Sequence, residues 1–138
     1  MGFEQVMLLA VLVVVFVADR IEKKGLHRLP EQERVVVEEL LVPLWIPFLL
    51  MMSVIIVELV RIAVEGYSTL WRMAPPVLGF LAVTVAYGIR LRAYGIYELA
   101  AGQEDFDRKA RARALLKNAR WSYTASVVLW ASLALYRS

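Results

Sequence analysis

The sequence contains no cysteine and a single histidine, His27. Disulfides, thiolate metal sites and a cysteine nucleophile are therefore excluded, and with one imidazole neither a haem nor another metal centre is expected. There is also no Gly-rich phosphate loop, no nucleophile and base pair, no internal repeat and no low-complexity segment. Charge is missing from the middle of every apolar run, which argues against a channel or a transporter.

Hydrophobicity takes their place. Of the 138 residues 60% are apolar, and the mean hydropathy is +0.59, whereas ordinary soluble domains are roughly 45 to 50% apolar. Four apolar segments predict an all-α integral membrane protein, a four-helix transmembrane bundle. Spans of about 20 residues with short connections use most of the chain, so one domain is expected over 1–138. The first span centres on Val6 to Ala18 and is stopped by Asp19-Arg20. Its acidic start at Glu4 and charged end mark a retained helix, because a cleaved signal wants a basic start and a small-residue cleavage site. The second covers about Val35 to Val64, and Pro43 and Pro47 predict a kink in its cytoplasmic third. The third begins near Trp71 with Pro75-Pro76 in its first turn, and runs helically past Tyr97. The fourth spans roughly Ala119 to Tyr136, with Trp121, Tyr123, Trp130 and Tyr136 as interface anchors.

A net charge of +3 and a pI near 9.4 do not point to nucleic acid here, because the basic residues sit beside apolar spans. Arg20, Lys23, Lys24, Arg28 and Arg34 crowd the first connection. Arg90, Arg92, Arg108, Lys109, Arg111, Arg113, Lys117 and Arg120 crowd the third, leaving only Arg61, Arg72 and Arg137 elsewhere. Since basic connections stay in the cytoplasm, both termini and the loop Gly66-Tyr67-Ser68 are placed outside it.

This topology brings Arg34, Glu38, Arg90, Arg92, Tyr94 and Tyr97 to one depth at the cytoplasmic membrane surface. Arg90, Tyr94 and Tyr97 follow an i, i+4, i+7 pattern and share a helix face, a set suited to an anionic ligand. Arginines and tyrosines at the end of a span also serve as interfacial anchors, so spacing leaves both readings open. Glu58 and Arg61 lie three apart, as an ion pair closing the outer end of the second helix or as part of a transport path. Glu38 and Glu39 are expected to be neutralised by bases of the first connection, and His27 to be solvated. The segment Glu104 to Arg120 carries acids first and bases later, matching a helix dipole, and its amphipathic character allows contact with anionic lipid headgroups.

Two short motifs carry a family resemblance. Glu33-Arg34-Val35 followed by Pro47-Phe48-Leu49-Leu50, and the stretch from Ala86 to Tyr97 with Arg90, Arg92, Tyr94 and Tyr97, together cover about a fifth of the chain. They resemble the second-helix and third-helix signatures of the membrane-associated eicosanoid and glutathione metabolism (MAPEG) family. That resemblance implies a homotrimer binding glutathione between subunits near the cytoplasmic face, and a lipophilic second substrate entering from the membrane. It carries over Arg34, Arg90, Tyr94 and Tyr97 as ligand-binding residues. Where the family has an arginine, an asparagine and a glutamate along the second helix, this chain has Val37, Leu41 and Leu44. Near the family's thiol-activating arginine it has Gln103 and Glu104, so the implied site is degenerate. The function expected is thus a trimeric glutathione- or lipid-binding transferase. The alternative is a non-catalytic accessory subunit, packed among partner membrane subunits and lipids.

Overall fold

The computed structural model describes residues 2–63, 69–100 and 106–138, with side chains described outside 61–63 and 69–72. Among the described residues the secondary structure is all helical: α1 (Phe3–His27), α2 (Glu31–Leu41), a 3-10 turn (Val42–Leu44), α3 (Trp45–Ala63), α4 (Thr69–Leu99) and α5 (Phe106–Arg137). Because the 3-10 turn joins α2 to α3 without a gap, the elements make four rods. Two stretches, Glu31–Val60 and Met73–Leu99, are long and apolar enough to cross a membrane.

Local chemistry sets the boundaries. Pro30 has no backbone N–H with which to continue α1, and the last turn of that helix closes with the Arg28 N–H on Gly25 O and the Leu29 N–H on Leu26 O. The kink expected in the second span is the 3-10 turn around Pro43. Helix α4 starts at Thr69, earlier than the sequence implied, so Pro75 and Pro76 sit inside it and not in its first turn. Each proline removes one i to i−4 bond, and both prolines are buried. Helix α5 is continuous for 32 residues, about 48 Å at 1.5 Å per residue, so its polar first half and apolar second half are one rod. The run Ala110 to Leu116 is rich in strong helix formers, and Asp107 and Arg137 sit at the ends the dipole favours.

Helix α1 packs on α5, α5 on α4, α4 on α3, and α2 lies against α4. Near the chain ends, where the rings of Phe3 and Tyr136 lie 4.6 Å apart, Leu8, Val11, Val54, Ile55, Trp130 and Leu133 form one core. At the opposite end Leu29, Val37, Leu41, Tyr94, Tyr97 and Leu115 form a second, beneath α2. Close approach of α4 to α5 depends on Gly79, since a Cβ there would stand 2.4 to 2.6 Å from three ring atoms of Trp130. The loop Gly66-Tyr67-Ser68, the side chains of Arg61, Trp71 and Arg72, and Gln103 and Glu104 lie outside the described residues.

Candidate functional site

Between the two cores the inward positions turn small. Ala18 on α1, Ala82 and Ala86 on α4, and Ala119, Ser122 and Ser126 on α5 occupy the places where large side chains would meet. They leave a cavity of about 600 Å³, a volume typical of small-molecule sites. Its walls come from α1, the segment Leu44 to Met51, α4 and α5. On α1 the lining runs from Leu12 to Lys23, about 16 Å of helix. Phe16, Trp45 and Phe48 edge it and are 63%, 58% and 59% exposed, so the mouth opens sideways, between α1 and α3. Tyr87 and Tyr123 stack in the far wall with centroids 4.4 Å apart, and the Tyr123 hydroxyl lies 3.3 Å from that of Thr84.

One end of the cavity is charged. Arg90 Nε donates to Glu22 Oε2 at 2.7 Å, and the Tyr94 hydroxyl donates to the same oxygen at 2.6 Å. Glu22 is 6% exposed and Tyr94 fully buried. A carboxylate so placed is tolerable because it is paired and hydrogen-bonded at once. Asp19 and Lys23 pair at the more exposed rim, 3.1 Å apart. Asn118 is bonded at both ends of its amide: its Nδ2 donates to Ala18 O at 3.1 Å and its Oδ1 accepts from Trp121 Nε1 at 2.7 Å.

Of the four residues expected to bind a ligand, Arg90 lines this cavity and the other three do not. Tyr94 turns its hydroxyl to Glu22. The Tyr97 hydroxyl donates to Glu33 Oε2 at 2.7 Å, beside Arg111 Nη1 at 3.3 Å from the same oxygen, while the Arg108 guanidinium lies over the Tyr97 ring at 4.6 Å. Arg34 Nη2 donates to His27 O and Leu29 O at 3.3 and 3.2 Å, satisfying carbonyls at the end of α1. Glu38 and Glu39 are exposed, and among the described residues no base pairs with them, because α2 turns Val37 and Leu41 inward and these two outward. His27 is exposed, as expected of a loop-side imidazole.

Glu22 is the residue that sequence reasoning missed. It looked like one more charge in a charged connection. Its signal was periodicity: Leu8, Val11, Val15, Ala18 and Glu22 follow the inward face of α1 at spacings of three and four. Among the described residues no group of three His, Asp or Glu side chains is gathered for a metal. No protein-family model, curated protein or solved structure matches the chain.

Proposed function

We propose that the protein spans the membrane four times and binds a lipophilic ligand that enters the cavity from the bilayer. Membrane residence is supported by how the apolar helices are used. Only 28% and 22% of the two span windows are buried within the molecule, although core helices of soluble proteins are mostly covered. Val13, Phe16, Ile46, Phe48, Ile56, Val77 and Leu81 all face outward, which is costly in water and natural in hydrocarbon. Helix α1 and the apolar half of α5 complete four spans when packed with these two. The basic ends of α1, α4 and α5 then lie in the cytoplasm, with Phe3 and Tyr136 across the membrane.

Ligand binding rests on one observation: a cavity of about 600 Å³ whose mouth is edged by the exposed apolar side chains of Phe16, Trp45 and Phe48 and whose inner end holds Arg90 and Glu22. This keeps the lipid half of the expected glutathione- or lipid-binding activity. The thiol half has less support, since the Tyr94 and Tyr97 hydroxyls already donate to carboxylates. Native mass measurement of protein purified in mild detergent tests the reading. The wild type should retain lipid mass that Ala119→Phe, filling the cavity, removes without loss of the folded helical spectrum. Equal retention by both proteins would refute it.

A further inference from the structure

We infer that the cavity selects an uncharged, hydroxyl-bearing lipid, a long-chain alcohol or monoacylglycerol, over an anionic one. This deepens the lipid-binding reading above and rests on it. The argument starts from charge. At the inner end Arg90 is neutralised by Glu22, and at the rim Lys23 by Asp19, so the head region carries no net charge.

What remains is a hydrogen-bonding pattern. Arg90 spends only Nε on Glu22, which leaves both Nη groups as donors without a protein partner among the described residues. Glu22 receives both of its bonds on Oε2, and Oε1 is left as an acceptor. A hydroxyl both donates and accepts, and so answers the two together. A carboxylate or sulfate only accepts, and it would set a second negative charge beside Glu22 with no cation left to balance it. An ammonium only donates, and would meet the Arg90 charge. Asn118 is neutral and already bonds Ala18 O and Trp121 Nε1, so it adds no cation that could balance an anionic head. The apolar walls from Leu12 to Met51 take the chain.

The test holds the chain constant and changes the head. Oleyl alcohol, monoolein and oleyl sulfate compete for the purified full-length protein, read by native mass spectrometry. The two neutral lipids should bind the wild type about tenfold or more tightly than the sulfate, a difference of about 1.4 kcal/mol. Glu22→Gln keeps the size and an acceptor for Tyr94 but releases the Arg90 charge, and should turn the preference towards oleyl sulfate. Sulfate binding to the wild type as tightly as the alcohol overturns the inference and leaves the cavity reading standing. The same holds if a folded Glu22→Gln keeps the wild-type order. If none of the lipids binds, both readings fall. Should Glu22→Gln not fold, the wild-type ranking alone decides.

Discussion

Arg137, at the end of α5, donates through Nη1 to Glu58 Oε1 of α3 at 2.8 Å, and both side chains are wholly buried. Its Nη2 bonds the second Glu58 oxygen, and its Nε reaches Glu4 Oε1 of α1 at 3.0 Å. One guanidinium therefore ties three helices at the end of the molecule where the chain termini meet. The forked geometry matches a carboxylate, and a cation suits a helix C-terminus.

Removing half of that pair should cost more than removing all of it. Arg137→Ala leaves Glu58 buried without its forked partner, with an expected loss of about 3 to 5 kcal/mol. Replacing Glu58 and Arg137 together by leucine should restore much of the difference. Unfolding midpoints of the two single variants and the double, in one detergent, give the coupling; strictly additive losses would show that the pair is not coupled.

Gly79→Ala should destabilise by about 1 to 3 kcal/mol, because its Cβ would overlap the Trp130 ring and α4 must move away from α5. Gly88→Ala is the control. No heavy atom lies within 4 Å of its added Cβ, and alanine favours the helix by up to about 1 kcal/mol. Thermal melts that shift equally for both variants would contradict the packing assigned to α4 and α5.

Helix α2 is latched through Glu33, which accepts from Tyr97 and Arg111 and lies 3.5 Å from Arg108. Glu33→Ala removes bonds to a charged group, of order 1.5 to 3 kcal/mol. Amide exchange across Glu31–Leu41 should quicken roughly tenfold or more, with little change in α1. Uniform acceleration along the chain would mean global destabilisation and no local latch.

Tags on either terminus should be reachable by protease in intact spheroplasts, since thirteen of the 16 basic residues flank the first and third connections. Protection of one tag alone would require an odd number of spans. Protection of both would invert the orientation.

Glutathione and the homotrimer are the other implications of the MAPEG resemblance, and one preparation tests both. To reach Tyr94 or Tyr97, a thiol must displace Glu22 or Glu33, so calorimetry should give no heat with glutathione. A measurable heat that disappears in Arg90→Ala, from a particle of trimer mass, would put the glutathione-binding trimer ahead of the lipid reading.

Helices were legible in the sequence because apolar side chains repeat along them and proline cannot donate a backbone bond. Pro43 and Pro47 announced a kink, which the chain makes as the 3-10 turn around Pro43 while Pro47 lies in the first turn of α3, and the run from Val77 to Ile89 marked the heart of α4. Gly79 lets α4 come against the Trp130 ring of α5, a contact that shows only once the two helices are packed. Which charges meet was decided only in three dimensions. Glu22 and Arg90 are 68 residues apart, and Glu58 and Arg137 are 79 apart. Local spacing had instead placed Glu58 beside Arg61, whose side chain lies outside the described residues. The cavity was equally hidden. It is a deficit of side-chain volume shared by Ala18, Ala82, Ala119 and Ser126, and it exists only when three different helices bring small residues to the same level. Periodicity records which way one helix faces; a void or a buried ion pair depends on the register between helices, which no single segment contains.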